Sequence, residues 1–327
     1  MLKRNDYEIG DERMKKLFSL LLIATLVLMA ACGNKSSDKE SDDKLQVYTT
    51  VFPFKNMIEQ IGGDHVTVSS IYPNGIDIHT YEPTQKDTMR IAKSDLFFYS
   101  GDELDQVSAK IAKVVNKKDK TVQLAKDIDE HDLLASEEHD HDHEAEHEHE
   151  HDHGTHDPHV WLDPEMNKSF AKVIKDELIK KDKQHEKEYI KSYEKLVQDI
   201  NQIDKQLKTI TKTKKRDSVF ISHDSIGYLA KRYGFKQEGV SGMNNEEPSQ
   251  SDIINMINNI NKSKATVILY EQNITTKTVD IIKDKTNATA VPFHNMAVLT
   301  DKDKKDVTYQ DLMKINIESL DKALNNK

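Results

Sequence analysis

Cysteine is almost missing from this 327-residue chain: there is one, Cys32, against fifteen histidines. A single thiol excludes a disulfide framework and a cysteine-built zinc or iron–sulfur site. Basic residues are in the minority, 47 Lys+Arg to 57 Asp+Glu, a formal net charge of −10. That balance excludes a general nucleic-acid binder, which needs a basic face. Glycine and proline are scarce, and residues 165–213 contain neither. The hydrophobic run at residues 17–31 falls short of the ~20 residues that cross a bilayer. Although hydrophobic residues make up only 36% of the chain, they recur periodically, which predicts a packed core.

The run LFSLLLIATLVLMAA follows Lys15 and Lys16 and ends in Ala30-Ala31, directly before Cys32. A basic start, an apolar middle and small residues at the end are the pattern of a secretory signal. The string LMAAC resembles a bacterial lipobox, in which the cysteine becomes the lipidated first residue. Residues 1–31 are therefore expected to be a signal peptide. Met14 is expected to be the natural start and residues 1–13 an upstream extension. Lipidated Cys32 and a polar tether over 32–43 would hold the protein on the extracytoplasmic face of the cell membrane, as two acyl chains suffice to do.

Beyond the tether, strands and helices alternate. Leu45–Val51, Val66–Tyr72 and Leu96–Tyr99 read as strands, with helices at Phe54–Ile61 and Thr84–Lys93. Residues 137–156 interrupt the pattern with alternating His, Asp and Glu, which predicts an exposed loop. Asp163-Pro164 then opens a long helical region, 164–213, whose apolar stripe is broken only by a polar patch at 181–188. The second half repeats the α/β order and ends in a helix from Thr308 with a Thr308/Asp311 capping box. The expected fold is α/β: two (β/α) lobes with parallel-type sheets, 44–163 and 214–327, joined by the helical connector.

Three histidines stand apart by position. His79 follows a strand in the first half, His159 precedes the connector, and His223 directly follows the strand VFIS. Ligands in open α/β sheets bind beyond the carboxyl ends of strands, and two of these histidines lie in the first half and one in the second, as a site in an inter-lobe cleft would require, although a single histidine in a loop is more often a surface residue. Neutral imidazole suits zinc, copper, iron or nickel. Three histidines with a water also describe a catalytic zinc, but there is no HExxH and no second carboxylate motif, so an enzyme is not expected.

The strings IYPNGIDIHTYEPTQKD, DPHVWLDP, FISHDSIGYLAKRYGF and ILYEQN resemble the zinc- and manganese-binding lipoproteins of bacterial ABC importers, the ZnuA/AdcA type, over nearly all of the chain from Leu45. The resemblance implies two lobes joined by a rigid helix, a metal at their interface, and His79, His159 and His223 as its ligands. It also implies an ABC permease and, through it, an ATPase as partners, no nucleic acid, and a monomer. Members of this family have also been described as adhesins. All-imidazole ligation favours Zn²⁺ over Mn²⁺. Relatives carry a carboxylate where Ala297 stands in FHNMAVL. The fourth position then falls to water first, His294 second and Glu271 last.

In the acidic loop, His139, His141, His143, His147, His149, His151, His153 and His156 would form weak auxiliary metal sites. His65, His131 and His185 have no supporting context and read as surface residues, while Trp161 reads as core.

Overall fold

The computed structural model describes residues 44–135, 156–244, 246, 248–272 and 277–326. The signal peptide, Cys32 with its tether, and His139, His141, His143, His147, His149, His151 and His153 lie outside the described residues. Among the described residues, no helix is long and apolar enough to cross a membrane.

Two parallel four-stranded sheets organise the chain. The first comprises β1 (Leu45–Thr49), β2 (Val66–Ser70), β3 (Leu96–Tyr99) and β4 (Thr121–Gln123), in the order β2-β1-β3-β4. The second comprises β5 (Ser218–His223), β6 (Lys236–Ser241), β7 (Val267–Glu271) and β8 (Thr289–Phe293), in the order β6-β5-β7-β8. The two orders are the same, with the first strand of each lobe inside its sheet. All four residues of β3, LFFY, are buried, as expected of a strand covered on both faces.

Helices α1 (Phe52–Gly62), α2 (Gln85–Lys93) and α3 (Gln106–Val115) belong to the first lobe. Helices α6 (Gly227–Tyr233), α7 (Gln250–Ser263) and α8 (Lys277–Lys285) belong to the second. Capping boxes open α2 at Thr84/Asp87 and α7 at Ser249/Asp252, satisfying amide groups that a first helical turn leaves without partners. Gly234 ends α6 at φ +72°, a left-handed conformation that glycine adopts without strain.

The connector is not one continuous helix. Helix α4 (Pro164–Lys181) ends at Asp182, a short turn covers Lys183–His185, and α5 (Glu186–Lys212) runs on for 27 residues, about 40 Å. The break falls in the polar patch at 181–188, where no apolar face holds a straight helix against the core. Asp182 accepts there from the Tyr189 hydroxyl and pairs with His185 Nδ1, both at 2.6 Å. His65 stacks on His185, with ring centroids 3.6 Å apart and planes 12° from parallel, and pairs with Glu188 at 2.9 Å. These two partly exposed histidines therefore pin the turn to the first lobe, a context for them that the sequence did not reveal.

Helix α9 (Tyr309–Asn325), opened by the expected Thr308/Asp311 box, packs on β5, β7 and β8, and also on α5 and α1. One hydrophobic core consequently runs through both lobes, from Phe54 and Phe97 through Trp161 and Tyr189 to Phe293 and Tyr309. A smaller cluster around Ile260, Ile268 and Ile282 fills the far side of the second sheet.

Candidate metal centre

Parallel strands deliver side chains at their carboxyl ends, and both sheets point those ends toward one place. His223 is the last residue of β5, and Glu271 the last of β7. His79 lies in the segment between β2 and α2, where its amide donates to Asp77 Oδ1 at 3.0 Å. His159 immediately precedes the short turn Val160–Leu162. One ring nitrogen from each of His79, His159 and His223 lies within 4.8 Å of the others, the one such His/Cys/Asp/Glu group among the described residues. His159 and His223 are buried, each 1% exposed, while His79 is partly open to solvent.

Two buried carboxylates fix the inner rings. Asp157 Oδ1 accepts from the His159 amide at 2.9 Å and pairs with its Nδ1 at 2.7 Å, leaving Nε2 to face the other histidines. Glu271 pairs through Oε2 with His223 Nδ1 at 2.8 Å and accepts from the Ser225 hydroxyl through Oε1 at 2.6 Å. Carboxylates on the outer nitrogens of ligating imidazoles orient the rings and raise their basicity. Glu271, ranked last as a fourth ligand, thus holds a histidine. The part played by Asp157 went unread in the DPHVWLDP motif, although its i, i+2 spacing to His159 was the available signal.

The two inner rings differ in charge. Burial, with the positive charge on His223, holds His159 well below the ordinary imidazole range, so its Nε2 carries a lone pair at neutral pH. Burial also acts to lower His223, but the Glu271 carboxylate and the Met243 carbonyl outweigh it and hold the ring up at about 9. The Met243 carbonyl accepts from His223 Nε2 at 2.9 Å. Burial raises Asp157 to about 7.

His294 does not join the three. Its Nδ1 accepts from the Met296 amide and from Gln272 Nε2, both at 2.9 Å, and its Nε2 meets Asp303 Oδ2 at 3.2 Å. Both nitrogens are used, and burial keeps the ring neutral. The ring anchors a turn in which Met296 takes φ +60°, an uncommon conformation for a residue with a side chain. Beside that turn, a small cavity of about 10 Å³ is lined by His79, His159, Asn295 and Ala297, among others. This is about the room one water needs. A larger cleft of about 800 Å³ is also lined by His79, with His156, Tyr81, Glu82 and Met243 in its walls. His156, grouped above with the acidic loop, is set against Ala135 by a single antiparallel bridge.

Hydrogen bonds cross from lobe to lobe around the centre. Trp161 Nε1 donates to the Asn295 carbonyl at 2.8 Å, and the Tyr228 hydroxyl to the Asp157 carbonyl at 2.8 Å. The Phe52 amide donates to the Ala297 carbonyl at 3.0 Å, and the Gly75 amide to that of Leu299 at 2.8 Å.

Comparison with known proteins agrees with this architecture. The family described as zinc-uptake complex component A, periplasmic, matches residues 47–323. The high-affinity zinc uptake system protein ZnuA of Bacillus subtilis is 31% identical over 95% of this chain and 98% of its own length. The manganese-binding lipoprotein MntA of the same organism is 25% identical over 94% of this chain and 98% of its own length. The crystal structure of the metal-dependent lipoprotein YcdH from B. subtilis superposes with a TM-score of 0.71 at 27% identity, over 86% of this chain and 99% of that one. The chain belongs to the zinc-uptake component A family, whose members are metal-binding components of ABC transporters rather than enzymes.

Proposed function

We propose that this protein captures Zn²⁺ outside the cytoplasm and delivers it to an ABC permease that works with an ATPase. His79, His159 and His223 would be the ligands, with one water in the cavity beside Ala297 as the fourth. The observation that carries this reading is the convergence of three imidazoles, two of them locked by carboxylates at their outer nitrogens. A tetrahedral nitrogen site with one water suits zinc, whereas manganese prefers oxygen donors. Zinc- and manganese-binding relatives both resemble the chain, so the donor set rather than the likeness is the ground for choosing zinc. Lipidation of Cys32 behind LMAA is the anchor we propose, in keeping with relatives named as lipoproteins. The lobe-to-lobe bonds favour lobes that close little around the cargo.

The test is competitive titration of Zn²⁺ and Mn²⁺ on protein lacking residues 137–155, which removes auxiliary histidines. One tight zinc per chain with clearly weaker manganese is the expected result. Equal or tighter manganese binding would refute the zinc assignment.

A further inference from the structure

The His223 ring has an acceptor at each nitrogen, and the two are not equivalent. Glu271 at Nδ1 is compatible with a metal at Nε2; the Met243 carbonyl is not. A carbonyl oxygen can only accept, so the 2.9 Å bond requires a proton on Nε2. A metal requires the lone pair of the same nitrogen with that proton gone. The two occupants exclude each other.

We infer that the Met243 carbonyl is a built-in competitor for His223, so that metal loading and docking of the segment Gly242–Asn244 on the centre are alternatives. This rests on the proposed role of His223 as a ligand. The segment leaves the end of β6, where Ser241 is paired with His223 itself, so it springs from the strand beside the centre. The Glu246 carboxylate turns back to accept from the Asn244 amide at 3.2 Å and helps to hold the docked form. Met243 and Asn244 also wall the large cleft that reaches His79, so their displacement changes the surface on the open side of the site.

The lobes are cross-linked by Trp161–Asn295, Tyr228–Asp157 and Phe52–Ala297, which opposes a wide closing motion as the sign of loading. A local exchange at Met243 needs none of those bonds to break. It gives the transporter a difference to read between loaded and unloaded protein. It also lowers apparent affinity, because metal must displace the carbonyl before His223 can bind it.

Hydrogen exchange of the full chain, with and without one equivalent of Zn²⁺, tests this alongside calorimetry. Exchange across residues 240–244 should rise by about threefold or more on loading, the size expected when one closing hydrogen bond is lost. Glu246→Ala should loosen the docked form and tighten zinc binding by about three- to tenfold, for the same reason. His223→Ala should give fast exchange at 240–244 whether or not zinc is present. Unchanged exchange at 240–244, with tight stoichiometric zinc binding intact and lost in His223→Ala, would overturn the inference and leave the metal site standing. Wild-type zinc affinity in His223→Ala would instead remove the site assignment, and the inference with it.

Discussion

Arg232 on α6 reaches across the interface to Asp163, its Nε lying 2.7 and 2.6 Å from the two carboxylate oxygens. The same carboxylate accepts from the Glu165 and Met166 amides and caps α4. One side chain therefore starts the connector and ties it to the second lobe, four residues beyond His159. Asp163 is 1% exposed. Burial raises its carboxyl, and the Arg232 guanidinium acts in the opposite direction.

Removing the guanidinium leaves that carboxylate buried with only backbone partners. Arg232→Ala should lower stability by about 3 kcal/mol, at the lower end for breaking a buried pair because Arg232 is partly solvated. Denaturant unfolding measures this. A loss below about 0.5 kcal/mol would place the pair with ordinary surface bridges.

The carboxylates behind the histidines make a second test. Asp157→Asn and Glu271→Gln keep shape but remove the charge that orients each ring. Each should weaken zinc binding by about 10- to 100-fold, the usual effect of removing such a partner. Calorimetry on protein without residues 137–155 reads this directly. Unchanged affinity in both variants would mean that the rings need no such support.

His294→Ala separates anchoring from ligation. With both ring nitrogens engaged by Gln272, Met296 and Asp303, its loss should leave zinc affinity within about twofold of wild type. Stability should fall by about 1–3 kcal/mol, because buried partners lose their bonds. A large loss of affinity at unchanged stability would put His294 on the metal.

The pH dependence follows from the unlike charges of His159 and His223. His223, held at about 9, must release a proton to bind metal, whereas His159, held well below the usual range, need not at neutral pH. Zinc affinity should rise by about tenfold per pH unit from pH 7 to about 8.5, with close to one proton released per zinc from this ring. Stability measured with a chelator present should move the other way. The His223 contribution is complete below the free imidazole value of ~6.5 and is lost as pH rises through about 9. Calorimetry in buffers of different ionisation enthalpy counts the protons. A flat affinity from pH 7 to 8.5 would contradict the raised state of His223.

Much of this was legible in the sequence, for identifiable reasons. His79 and His223 follow strands, as a cleft site would require, but a histidine in a loop is more often a surface residue, and the family resemblance of the strings around them is what singled them out. The Thr308/Asp311 box and the Asp163-Pro164 helix start are local chemistry and appear as expected. Strand β6, KQEGVS, carries almost no apolar signal, and β4 has three residues, so neither was visible. Helix α3 was likewise not anticipated. The His65–His185 stack joins distant parts of the chain without a pattern to announce it. The polar patch at 181–188 was seen as a gap in a stripe, but its meaning, a turn between two helices, depended on Asp182 finding Tyr189 and His185.

Helix α9 gives the molecule an order of assembly. The Tyr309 amide bonds Asn56 Oδ1 at 2.8 Å, and Gln310 bonds Gln60, across some 250 positions of chain. The first lobe therefore draws part of the packing of α1 from a helix some 250 positions further along the chain. A nascent chain that has produced only that lobe lacks the partner that completes α1, and contacts of such long sequence separation form late and slowly. Helix α1 thus stays without this partner until α9 is in place.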